Sequence, residues 1–142
     1  MVLVTLMTAT HTYRFSEFQT GLVESGVKRC TIRALRRAPT RAGDTLRLTG
    51  PIFAGRGKTA AKPGRLLRTA VCRSVHGIML TLDHDTSAVI LFDITGETTF
   101  ECVPTCVDEL ARMDGFESAL AMGQFFRKRC RRGTFRGVLI RW

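Results

Sequence analysis

The segment Phe135-Arg-Gly-Val-Leu-Ile-Arg-Trp142 places the tightest constraint on the fold. Val138, Leu139 and Ile140 are consecutive, so in a strand, where side chains alternate, they put apolar groups on both faces. A half-solvated hairpin cannot use that pattern, whereas a strand inside a closed or doubly covered sheet can. At 142 residues the chain is sized for one core, since about 100 to 200 residues make a domain. Residues 1–142 are therefore expected to form a single domain.

Other segments supply partners for that strand. Cys30 to Arg33 and Asp44 to Thr49 alternate, while Thr69 to Leu82 and Ser87 to Ile94 are β-rich runs joined by the polar turn Asp83 to Thr86 as a hairpin. Met1 to Met7 has no basic lead and is broken at Thr5, so it reads as a first strand and not as a signal peptide. Phe15, Phe18 and Leu22 fall at helical spacing within Tyr13 to Ser25, with Ser16 and Gln19 as a capping box and Gly26 as the stop. Thr105, with Asp108 three residues on, opens a second helix. Phe116, Leu120, Gly123 and Phe126 mark one face of a third, ending near Gly133. Short strands with helices near each end predict an α+β fold, a small β-barrel of about five or six strands with two or three flanking helices.

The formal net charge of +10 is unevenly spread. Residues 28–73 hold thirteen Lys or Arg against Asp44 alone, residues 127–142 hold seven and no acid, and residues 74–126 hold nine acids against Arg112. If the two basic blocks meet in space they form a polyanion-facing surface, because neutralising phosphates releases counterions. The alternative for the second block is a set of solvated arginines capping a helix C-terminus. Between Thr49 and Leu66 runs a Gly-, Pro- and base-rich stretch that no core could use, expected as a flexible basic loop at about 49–66, either a flap over phosphates or plain disorder. Gly57-Lys58-Thr59 echoes the end of a phosphate-binding P-loop, but Ile52 stands where that motif needs its first glycine.

Five cysteines, an odd set without secretion signals, favour reduced thiols in a cytoplasmic protein. Cys102 and Cys106 have no second close pair to complete a zinc site, so no metal is expected. No cofactor is expected either. Nowhere do about 18 uninterrupted apolar residues occur, so no membrane helix is expected.

Chemistry can sit in Gly26-Val-Lys-Arg-Cys-Thr-Ile-Arg33. In a regular strand Lys28 and Thr31 point to opposite faces. They converge if Gly26, free to take positive φ, reverses the chain out of the first helix and leaves Lys28 on the turn. Cys30 and Ile32 then face the core, and an ammonium, a hydroxyl and a guanidinium share one mouth suited to an anionic or carbonyl-bearing ligand. The bland alternative is a solvated basic edge that deters strand pairing. Thr31 is then an ordinary strand residue, and Asp114 a turn residue before Gly115.

Gly26-x-Lys28-x4-Arg33 resembles the Gly-x-Lys-x4-Arg signature of the ASCH family. The turn Gly43-Asp44-Thr45-Leu46, the Cys72 strand, Asp114-Gly115-Phe116 leading into a helix that ends Phe125-Phe126, and Gly-Val-Leu-Ile-Arg-Trp142 are also similar to ASCH proteins of bacterial and phage type. The resemblance implies a PUA-like β-barrel with a cleft beside it that binds RNA or a modified nucleobase or nucleoside. Gly26, Lys28, Arg29, Arg33, Arg47 and Lys58 would then be the binding residues. It also implies an alternative, a branch that hydrolyses N4-acetylcytidine with a lysine, a threonine three residues later and a downstream glutamate. Lys28 and Thr31 match that set, and the counterpart of the glutamate is Asp114, one methylene shorter. Thr31 would attack the amide carbonyl, Lys28 would take its proton once burial or neighbouring cations lowered its pKa from about 10.4, and Asp114 would orient Lys28 or protonate the leaving amine. RNA cleavage is a third possibility without a recognisable histidine pair. Oligomeric state is not legible.

Overall fold

The structure, a computed structural model, describes residues 7–51, 64–82, 89–93, 104–130 and 133–142. Its elements run β1 (Thr10–Arg14), α1 (Glu17–Glu24), β2 (Cys30–Arg33), β3 (Thr45–Thr49), β4 (Leu66–Val71), β5 (Ser74–Leu82), β6 (Val89–Asp93), α2 (Pro104–Met113), α3 (Ala119–Arg127) and β7 (Thr134–Arg141). The fold is α+β. Among the described residues seven strands form two sheets, one ordered β1-β3-β4 and one ordered β2-β7-β5-β6.

Two separate sheets correct the expectation of one closed barrel with five or six strands. The run Thr69 to Leu82, expected as one strand, is broken at Cys72-Arg73. The Cys72 amide donates to the Asp44 carbonyl (2.8 Å) and its carbonyl accepts from Gly43 (2.8 Å), which holds this end of β4 to β3. The next amide, Arg73, donates to the Arg141 carbonyl (2.8 Å) and hands the chain to β7. The chain thus changes sheets within two residues. The hairpin reading holds for β5 and β6, paired antiparallel from Ile78↔Asp93 to Leu82↔Val89.

The double-sided pattern of β7 has the cover it requires. Leu139 lies in a core with Cys30, Ile32, Leu80, Met122 and Phe126, between the four-stranded sheet and the helices α2 and α3. Its neighbour Ile140 lies in a second core with Tyr13, Phe15, Leu46, Leu48 and Trp142, between the two sheets. Full burial of each such side chain stabilises by about 1.5–3 kcal/mol, so neither face could be left to water.

The expected helix Tyr13 to Ser25 begins later. His11, Tyr13 and Phe15 are buried at a period of two, which continues a strand, and the helix starts only after its N-cap, Ser16. Phe18, placed on the apolar face by its spacing, is 60% exposed, and Val23 is the helix's buried residue. Ser16 gives no side-chain bond to the backbone, so the capping box does not form. Thr105 falls inside α2, and Asp108 accepts from the Ala119 amide (2.9 Å), joining α2 to α3. The third helix ends at Arg127, short of Gly133. No described helix is long and apolar enough to cross a membrane. The proposed strand at Met1 to Leu6, residues 52–63 of the basic loop, the turn Asp83 to Thr86 and Cys102 lie outside the described residues.

Asp44 ties β1 to the loop before β3. Its carboxylate accepts from the amides of Ala9 (3.1 Å) and Arg41 (2.9 Å) and from His11 Nε2 (2.9 Å). These bonds, the Arg41 amide foremost, hold its pKa below the usual carboxylate range. A carboxylate depressed in the folded state adds stability above its unfolded pKa of about 4, and loses it as pH falls through the folded value. Asp44→Ala is therefore expected to cost about 2 kcal/mol at neutral pH, because part-buried donors lose their acceptor. Urea unfolding checks this, with the gap between wild type and variant narrowing as the buffer is taken to pH about 3.

Candidate functional site

Two helix ends meet and create the site. After α1, Gly26 takes φ +79° and donates to the Val23 carbonyl (3.2 Å), and the Lys28 amide turns back to the Leu22 carbonyl (3.0 Å). After α2, Gly115 takes φ +89°, its amide bonding Arg112 (3.0 Å) while the Phe116 amide bonds Ala111 (2.8 Å). This is the paired bonding of a Schellman motif. The Arg29 amide joins the turns by donating to the Met113 carbonyl (3.1 Å). A Cβ on Gly115 would lie 3.0 Å from Leu22 Cδ1 and 3.7 Å from Lys28 Cδ, so the turns are in contact.

Lys28 is carried inward by this junction and is 1% exposed. Its ammonium donates to both the carboxylate and the backbone carbonyl of Asp114, which is itself 4% exposed. The carbonyl belongs to the unsatisfied end of α2, where a cation is favoured. Lys28 Nζ also lies 5.5 Å from the centroid of the Phe15 ring. Burial lifts the Asp114 carboxyl above its usual pKa, and the charges of Lys28 and Arg33 oppose that lift.

Strand alternation positions the rest. Cys30 and Ile32 face the helix-side core, and Thr31 faces the other way. Arg33, two residues on, donates through Nε to Thr31 Oγ1 (3.1 Å) and through Nη2 to the Arg14 carbonyl (2.6 Å). Its guanidinium lies 5.0 Å from the Phe15 ring centroid and 5.6 Å from that of Tyr13. Burial, followed by the charge of Arg36, draws its pKa below the usual arginine value.

Around these groups lies a cleft of about 660 Å³. Lys28, Thr31, Arg33 and Asp114 line its floor, and Phe15, Phe116, Phe125 and Phe135 its walls, with Arg14, Gln19 and Arg129 toward solvent. The structure thus brings together Lys28, Thr31, Arg33 and Asp114, as the sequence reading required. The other expected binding residues stand elsewhere. Gly26 shapes the turn, and Arg29 contributes backbone, its carbonyl accepting from the Trp142 amide (3.0 Å) while its side chain is exposed. Arg47 is a correction: it sits between buried Leu46 and Leu48 and is sent by alternation to the solvent face of β3, away from the cleft. Lys58 lies outside the described residues.

Sequence reasoning missed the aromatic walls and Arg129. One signal was available, since Phe125 and Phe126 are adjacent on a helix and point about 100° apart, so that one of them is turned toward the edge of the core. Phe126 is buried in it, and Phe125 stacks against Phe116 at 5.3 Å between centroids. Of the remaining reactive groups, the Cys30 thiol is pushed up to about 12 by its burial and is inert. Neither His11 nor His76 lines the cleft, and His84 is not among the described residues. No cluster of three or more His, Cys, Asp or Glu among the described residues could hold a metal ion. Set beside known proteins, the chain matches no protein-family model, no curated protein and no solved structure.

Proposed function

We propose that the chain is an ASCH-like domain, its two sheets an opened counterpart of the PUA-like barrel, and that the cleft binds a nucleobase presented by RNA or by a modified nucleoside. The observation carrying this reading is the convergence of Lys28, Thr31, Arg33 and Asp114 on the floor of an aromatic-walled cleft. Flat apolar walls suit a planar ring, and base–aromatic stacking contributes about 1–3 kcal/mol. The floor supplies both hydrogen-bonding senses: Lys28 and Arg33 donate, Asp114 accepts, and Thr31 does either. A volume of about 660 Å³ falls within the range of small-ligand sites.

Calorimetric titration with a panel of nucleosides and short single-stranded RNAs tests the proposal. Binding of at least one is expected, weakened about tenfold or more by Phe125→Ala, which removes stacking surface without touching the ion pair. Absence of binding across the panel would sink it.

A second reading, amide hydrolysis of N4-acylated cytidine, is favoured by one observation: Lys28 touches Asp114 beside Thr31. Thr31 Oγ1 would attack the acyl carbonyl, its proton passing through the Lys28–Asp114 pair to the leaving amine. Water would then release the acyl group from Thr31. A carboxyl lifted by burial suits such proton exchange. Arg33, bonded to Thr31 Oγ1, would fix the hydroxyl's direction. Conversion of N4-acetylcytidine to cytidine that disappears in Thr31→Ala would support hydrolysis, and binding without turnover would leave the binding reading alone. RNA cleavage has no histidine in the cleft to serve it among the described residues.

A further inference from the structure

Arginine surrounds the cleft in a way that base recognition alone does not require. Arg33 lies on β2 and Arg129 just beyond α3, and they come from the two separate basic blocks of the sequence, yet both line the cleft. The Arg129 guanidinium lies 4.1 Å from the Phe125 ring centroid, and that of Arg33 lies 5.0 Å from the Phe15 centroid. Each cation therefore lies over an aromatic wall, which leaves in-plane N–H donors of Arg129 for a ligand and, with Nε and Nη2 of Arg33 bonded to Thr31 and the Arg14 carbonyl, the Nη1 group of Arg33. Among the described residues the ion pairs are His11–Asp44, Lys28–Asp114 and Arg65–Glu24, so neither arginine has a carboxylate partner. Among the described residues the one acid lining the cleft, Asp114, is already engaged by Lys28. Arg36 and Arg129 both add positive field at Arg33. Asp114 offsets part of that field, and an anion bound beside the two arginines would relieve more of it.

We propose that Arg129 at the mouth of the cleft and Arg33 deeper within it form a phosphate subsite, so that the ligand is a nucleobase carrying a phosphate ester; this rests on the base-binding reading above. Guanidinium forks match phosphate oxygens in pairs of charge-assisted hydrogen bonds. A neutral nucleoside would leave both guanidiniums without an anion. The phosphate has two possible sources, the 5′-phosphate of a free nucleotide or the phosphodiester of an RNA strand whose base turns into the cleft.

Calorimetry on the full chain separates these cases, using cytidine and cytidine 5′-monophosphate, adenosine and adenosine 5′-monophosphate, and short single-stranded RNAs of the same bases. For whichever base binds, the monophosphate is expected to bind about tenfold or more tighter than its nucleoside at low salt. That ratio should shrink as salt is added. Arg129→Ala, at an exposed position where folding is not at stake, should bring the ratio close to one. A further gain for RNA over the monophosphate assigns the strand as the source, and equality assigns the free nucleotide. If nucleosides bind and the phosphate adds nothing, or if Arg129→Ala leaves the ratio unchanged, the subsite is overturned while the base cleft stands. If no nucleoside, nucleotide or RNA binds, both fall together.

Discussion

Asp114→Ala is expected to destabilise the protein by about 3–5 kcal/mol, because it strips a buried ammonium of its carboxylate. Lys28 and Asp114 are 1% and 4% exposed, so water at the cleft floor replaces the missing partner only in part. Lys28→Met, which leaves the carboxylate buried and unpaired, should cost a similar amount. The double variant Lys28→Met/Asp114→Ala should recover a large part of the loss, since apolar groups of similar volume often replace a buried ion pair at little cost. Urea unfolding of all four proteins gives the coupling energy directly. Single losses below about 1 kcal/mol, or strictly additive ones, would mean that the pair does not form in solution.

A second large effect is expected at Gly137 of β7, which faces Ile78 of β5. A Cβ there would stand 2.3 Å from the Arg33 carbonyl oxygen and 2.7 Å from Phe135 Cε1. The first contact is with backbone and cannot be relieved by turning a side chain. Relief requires β2 to part from β7, carrying Thr31 and Arg33 away from the cleft floor. Gly137→Ala is therefore expected to cost about 3 kcal/mol or more and to remove ligand binding even where some fold survives. Gly21→Ala is the control: nothing lies within 4 Å of a Cβ placed there on α1, and alanine should stabilise a helix interior by about 0.5–1 kcal/mol. Thermal melts of the two variants should move in opposite directions. Equal melting temperatures for wild type and Gly137→Ala would refute the close approach of β2 to β7.

Much of this architecture was legible where the signal is local. The Val138 to Ile140 run implied cover on both faces, Gly26 implied a reversal after the first helix, and strand parity put Cys30 and Ile32 in the core. Parity would also have removed Arg47 from the site, since Leu46 and Leu48 flank it. Other features depend on choices that short sequence windows do not encode. Phe15, Phe18 and Leu22 fit a helix, while His11, Tyr13 and Phe15 fit a strand, and tertiary burial decided for the strand. The sheet switch at Cys72 is set by partners in two other strands, with no glycine or proline to mark it. Lys28 and Asp114 are 86 positions apart, so their meeting could be anticipated only through the ASCH resemblance. The phenylalanine walls come from four separate places in the chain and carry no common spacing.

The most direct test of the nucleobase-binding cleft is to map a bound nucleoside or mononucleotide onto the backbone by heteronuclear NMR titration. The expected perturbations centre on Lys28, Thr31, Arg33, Asp114, Phe116 and Phe125, with the outer face of β3 around Arg47 unmoved. Perturbations confined to that outer face, or none at saturating ligand, would contradict the assignment of the cleft.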